Sequence, residues 1–147
     1  MAAPDECISP YLTDGDTGVG KDSAALYSGT IDNTDRAIKK LLHYLEEQNL
    51  MEDTLIVYSS DNGSFRSDRV GVLRGKKGSN YEGGLRVPAV IEWPSHISPR
   101  VTSYPAVSMD IFPTLAEVVK LPASSMLNKN DGLSLKKLFY LEKFILF

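Results

Sequence analysis

Residues 54–63 read TLIVYSSDNG, residues 64–72 SFRSDRVGV, and residues 73–94 LRGKKGSNYEGGLRVPAVIEWP. Two short apolar runs, 55–58 and 87–91, predict strands. The first is β-branched and aromatic, and its apolar residues are consecutive rather than alternating. That pattern predicts a strand covered on both faces, as in a parallel sheet. Between the runs, glycines and charged groups are denser than a plain connector needs. Asp61, Asn62 and Lys77 are the residues there best equipped for chemistry.

Two readings stand for residues 61–63. A carboxylate beside an amide, followed by a glycine, offers two oxygen ligands to a hard cation such as calcium or magnesium. In open α/β sheets, ligands gather outside the carboxyl ends of strands. The same Asn-Gly pair can also be a tight hairpin turn. Against a simple hairpin, residues 64–70 are polar, carry Arg66, Asp68 and Arg69, and contain no returning strand. Residues 71–86 are likewise open to two readings. Gly75 and Gly78 bracket Lys76 and Lys77, so that backbone can approach an anion and an ammonium can point at it. A solvated basic loop explains the same residues. The spacing is not that of a P-loop, and no G-x-G-x-x-G occurs.

Upstream, Ile31, Ile38, Leu41, Leu42 and Leu45 recur at three- and four-residue spacing, which predicts a helix over residues 22–49 capped by Asp22 or Ser23. Gly29 counts against it by about 1 kcal/mol relative to alanine. Helix, short turn at 51–53 and apolar strand make the signature of an α/β layer. Residues 1–21 are punctuated by Pro4, Pro10, Gly15, Gly18 and Gly20 and read as loop. Cys7 reads as an unremarkable thiol, and His43 and His96 as surface or packing residues.

Downstream, the second strand reaches Trp93, and Pro94 and Pro99 open a loop containing His96. A second helix is predicted over 108–120, with Ser108 as cap, Asp110 complementing the dipole, and Met109, Phe112, Leu115, Ala116 and Val119 as its apolar stripe. Residues 133–147 are an apolar tail, predicted as a helix seeking a surface and too short to span a bilayer.

At 147 residues the chain is one domain's worth, and its 42% hydrophobic and 24% charged composition is ordinary globular material. A net charge of −3 gives no electrostatic reason to expect a nucleic-acid partner. One cysteine excludes an internal disulfide. No apolar run is long enough for a transmembrane helix, and MAAPDECISPYL lacks the basic and apolar regions of a signal peptide.

Ser60-Asp61-Asn62-Gly63, Leu73-Arg74-Gly75-Lys76-Lys77-Gly78 and Tyr81-Glu82-Gly83-Gly84-Leu85-Arg86-Val87-Pro88 together resemble the later part of the sulfatase catalytic domain. Residues 32–45, the 107–115 segment VSMDIFPTL and the 131–135 segment DGLSL extend the likeness over most of the chain. The resemblance implies an α/β fold similar to alkaline phosphatase, here as a partial domain with a mixed β-sheet flanked by helices. It implies a division into an irregular segment 1–21, a partial sulfatase domain 22–138 and a diverged apolar tail 139–147.

The activity it implies is hydrolysis of sulfate esters, in a small molecule or a sulfated glycan. Asp61 and Asn62 match the family's late pair of metal ligands, with calcium or another divalent cation as cofactor. Lys77 matches the lysine that holds the substrate sulfate, and Lys76 stands where a glycine is frequent. The family's nucleophile is a formylglycine made within a C/S-x-P-S-R motif. That motif is absent here, since Cys7-Ile8-Ser9-Pro10-Tyr11 places proline one position late and has no arginine. The early metal-binding aspartates are absent too. The expectation is therefore a fragment inactive on its own. The alternatives are a non-catalytic sulfatase-like binding module and a related phosphoesterase.

Overall fold

A computed structural model describes residues 3–20, 23–122, 124 and 131–140 of the chain. Two compact units divide it, Met1–Glu92 and Trp93–Phe147.

The first unit begins with one helical turn, α1 (Asp5–Ile8), and a 3-10 turn, Ser9–Tyr11, inside the stretch that reads as loop. The long helix α2 (Ala24–Glu47) follows. Ser23 caps it, its Oγ accepting from the Leu26 N–H at 2.9 Å; the alternative cap, Asp22, lies outside the described residues. A carboxylate supports the same end, because Asp16 accepts from the Ala25 N–H at 2.9 Å while also holding the Gly18 N–H of the preceding loop at 2.9 Å. Ala3, Cys7, Ile8 and Ala25 form a buried cluster with Leu26 packed against it. The close crossing that makes this cluster uses Gly29. A Cβ there would lie 2.7 Å from the Cys7 carbonyl oxygen and 2.9 Å from the Ile8 Cα. The apolar stripe expected on α2 is less covered than its period suggests: Ile38, Leu42 and Leu45 are half-buried, and Ile31 and Leu41 are exposed.

Strand β1 (Ile56–Ser59) pairs with strand β2 (Ala89–Glu92) in an antiparallel, two-stranded sheet. Ile56 stands opposite Glu92 and Ser59 opposite Ala89. The parallel, doubly covered strand suggested by the apolar run is thus corrected for this pair. Ile56 and Val57 are half-buried, and Tyr58 and Val90 are exposed. β-Branched and aromatic residues favour extended backbone whatever the direction of their partner. Pairing direction is set by the path of the intervening chain, which no run of apolar residues encodes.

In the second unit, a 3-10 turn, Ser108–Asp110, leads into α4 (Ile111–Val118), after the short helix α3 (Glu82–Leu85) of the first unit. Ser108 makes no side-chain capping bond, and the Asp110 carboxylate instead holds backbone outside the helix. This carboxylate accepts from the Val107 N–H at 2.9 Å and, across the chain, from the Leu133 N–H at 2.7 Å. Thr114 Oγ1 accepts from the Leu135 N–H at 2.8 Å. Gly132 lies so close to the Met109 carbonyl that any side chain would collide with it. Residues 131–135 are thereby clasped to the helix, and Ala116, Leu135 and Phe139 are buried beside it. Beyond this clasp the chain turns as a 3-10 helix, Lys136–Tyr140, and the rest of the expected tail helix lies outside the described residues.

Candidate functional site

Strand β1 delivers the chain to Ser60, whose hydroxyl donates to the Asn62 carbonyl oxygen at 3.0 Å and closes a turn. Asp61 is exposed at this turn, Asn62 half-buried and Gly63 buried. The Asn-Gly pair is not a hairpin turn, since the strand that returns to β1 begins only at Ala89. Gly63 instead runs against another glycine. Its N–H donates to the Gly84 carbonyl at 2.9 Å, and a Cβ at position 63 would collide with the Gly83 carbonyl oxygen.

The basic loop is fastened to the same turn. The Lys77 N–H donates to the Ser64 carbonyl at 2.9 Å, and the Gly83 N–H to the Arg74 carbonyl at 2.8 Å. Gly75 and Gly78 hold φ of +82° and +88°, left-handed values that favour glycine. Ser79 closes the turn between them, its Oγ accepting from the Lys76 N–H at 3.1 Å and donating to the Lys76 carbonyl at 2.8 Å. Gly83 and Gly84 open helix α3 and pass so near the carbonyls of Gly75 and Ser79 that only glycine fits. The loop, the turn and α3 are therefore one hydrogen-bonded framework.

Around it the charges are already partly spoken for. Arg66 grips Asp68 through two hydrogen bonds of 3.0 Å, and this guanidinium holds the Asp68 carboxyl below its usual pKa. The Arg74 guanidinium lies 3.8 Å over the Tyr81 ring, and Arg86 pairs with Glu82 at 3.8 Å. Tyr27 of α2 meets the Phe65 ring edge-on at 5.7 Å, which ties the long helix to this loop.

Of the residues singled out from sequence, the backbone brings Lys77 to within one hydrogen bond of the residue pair following Asp61 and Asn62. Asp61 and Asn62 put a carboxylate and an amide next to each other on this turn, oxygen donors of the kind hard cations take. Among the described residues no group of three or more His, Cys, Asp or Glu could hold a metal. Cys7 is only 1% exposed, and His43 lies on the surface of α2 beside Glu47 at 3.2 Å. Sequence reading missed Ser64 and Ser79, whose contributions are a carbonyl and a turn-closing hydroxyl. Only the glycine spacing hinted that some backbone would approach so closely.

A family model described as Sulfatase matches residues 2–121. The chain is 34% identical to the steryl-sulfatase of Mus musculus over 125 residues, covering 76% of this chain and 20% of that protein. It is 39% identical to the arylsulfatase A of Homo sapiens over 109 residues, covering 71% of this chain and 21% of that protein. The chain thus spans about a fifth of the length of these curated relatives. Among solved structures, Ps i-CgsB in complex with k-i-k-neocarrahexaose matches at a TM-score of 0.76 and 29% identity, over 93% of this chain and 30% of that one.

Proposed function

The chain belongs to the sulfatase family and has part of its alkaline-phosphatase-like α/β fold, and from this we propose that it supplies the cation- and sulfate-binding side of a sulfuric-ester hydrolase site. The observation that carries the reading is the Lys77 N–H bond to the Ser64 carbonyl, which fastens the lysine loop to the Asp61-Asn62 turn. In this reading Asp61 and Asn62 hold a divalent cation, calcium by the hardness of their oxygens. When bound, that cation offsets negative charge on the sulfate oxygens. The Lys77 ammonium hydrogen-bonds those oxygens from a loop whose backbone is already ordered, so little reorganisation accompanies charge build-up on the ester. The substrate is a sulfated glycan or a sulfate-ester small molecule.

Hydrolysis also needs a nucleophile. The 147 residues contain no C/S-x-P-S-R sequence, and the single cysteine is buried. Binding without turnover is therefore expected of the chain alone. This missing motif is also what favours the second reading, a non-catalytic sulfate-binding module. Calorimetric titration with an aryl sulfate in calcium tests the common part. Lys77→Ala and Asp61→Asn should each weaken binding by about tenfold, the loss of one charge-assisted contact. Unchanged affinity in both variants defeats the proposal, and release of the free phenol defeats the expectation of inactivity. Tighter binding of the matching aryl phosphate points instead to a phosphoesterase relative.

A further inference from the structure

Residues 64–86 carry Arg66, Arg69, Arg74, Lys76, Lys77 and Arg86 against Asp68 and Glu82, six cations and two anions, or +4 in a chain of −3. The remainder of the protein is thus at −7, and positive charge is concentrated in the one framework that holds Lys77. Within it the arginines are engaged. Arg66 and Arg69 share Asp68, Arg86 pairs with Glu82, and Arg74 lies on Tyr81. Among the described residues Lys76 and Lys77 make no ion pair, and both are exposed.

Their backbone is not loose. Ser79 holds both the N–H and the carbonyl of Lys76, the Lys77 N–H is bonded to Ser64, and left-handed glycines stand on either side. Two unpaired ammonium groups thus rise from neighbouring Cα atoms, about 3.8 Å apart, on an ordered turn. Both ammonium groups are exposed and have no carboxylate partner among the described residues, so each is available to an anion from outside the chain. A sulfate ester bears one negative charge and is matched by one ammonium, which leaves the other without a counterpart.

We infer that Lys76 is a second anion contact, and that the ester this loop takes carries another negative group, a further sulfate or a carboxylate, beside the sulfate that Lys77 meets. The inference rests on the role proposed for Lys77. Lys76 acts here on specificity: it discriminates a doubly anionic ester from a singly anionic one of the same skeleton. No bond is made or broken by it.

Calorimetric titration of the chain with three disaccharides tests this. The three share one skeleton; one has a single sulfate, one a second sulfate on the adjacent position, and one a carboxylate there. The doubly anionic ligands should bind about tenfold more tightly at physiological salt, the worth of one added charge-assisted contact. Lys76→Gln should bring the affinities together to within about twofold, and Lys76→Arg should keep them apart. Lys40→Gln, which removes the same charge from the exposed face of α2, should leave the ratio as it is. A preference for one doubly anionic ligand over the other identifies the second group as sulfate or carboxylate. A ratio near one in the unaltered chain, or a ratio that survives Lys76→Gln, overturns the inference. If Lys77→Ala leaves the singly sulfated ligand bound as before, it is the role of Lys77 that fails. Binding of none of the three removes both.

Discussion

At the scale of single residues, local hydrogen bonds decide more than residue type. Asp16 accepts from Ser23 and from the N–H groups of Gly18, in the preceding loop, and Ala25, in the first turn of α2, which hold its pKa at about 2 instead of 3.8, the Ser23 bond contributing most. A carboxyl whose folded pKa is depressed stabilises the fold above its unfolded pKa, and that contribution is lost as pH falls toward the folded value. Helical circular dichroism followed from pH 5 to pH 2 should therefore show a thermal midpoint that declines between about 4 and 2. Asp16→Asn should be less stable than the unaltered chain at neutral pH, and the two should converge near the acid end. Parallel curves for the two proteins exclude this role. The adjacent pair Asp61 and Asn62 shows the other side of the same point. Its oxygen donors are read directly from residue type, whereas Gly63, which sits in backbone-to-backbone contact with Gly83, gives no sign in sequence of which segment it meets.

At the scale of elements, Gly29 is the clearest case. Read as helix propensity it weakens α2 by about 1 kcal/mol. Read in the fold, it is where α1 crosses α2, with the Cys7 carbonyl and Ile8 against its open face. Gly29→Ala should therefore destabilise the first unit, despite improving the isolated helix, by about 1–3 kcal/mol of overpacking. Urea unfolding followed by circular dichroism reads the sign, and an increase in the midpoint contradicts the packing role. Helix α4 carries a related lesson. Of the apolar stripe that spacing marks out, only Ala116 is buried while Met109, Phe112, Leu115 and Val119 are exposed, and the helix's capping group was not Ser108. The Asp110 carboxylate reaches both Val107 and Leu133, and a bond to residue 133 is invisible to any window around residue 110. The β1–β2 pair adds a third: both strands were expected, and their antiparallel direction was not.

At the scale of the whole molecule, burial is sparse. Tyr58 and Val90 on the sheet, Ile31 and Leu41 on α2, Phe112 on α4 and Val119 just after it all remain exposed, and β1 and β2 each have a free edge among the described residues. Each of these side chains is about half exposed and so forgoes only part of the roughly 1.5–3 kcal/mol that full burial contributes. Open strand edges invite further pairing. The purified chain should bind anilinonaphthalene sulfonate and associate with itself in sedimentation as concentration rises. A monomer that leaves the dye dark would show that these faces are closed in solution.

Sequence by itself determined the two longer helices, the two strands, the family, and the residue types singled out around residues 61–77, but not the short turns α1 and α3. Those properties are written in short windows, through periodicity, β-branching, turn residues and ordered motifs. Tertiary structure decided the direction of the strand pair, the use of Gly29 as a crossing point, the long reach of Asp110, and the bond that joins Lys77 to Ser64. Each of these is a contact between segments separated along the chain, set by the path of the backbone between them, and so it has no local signature from which to be read.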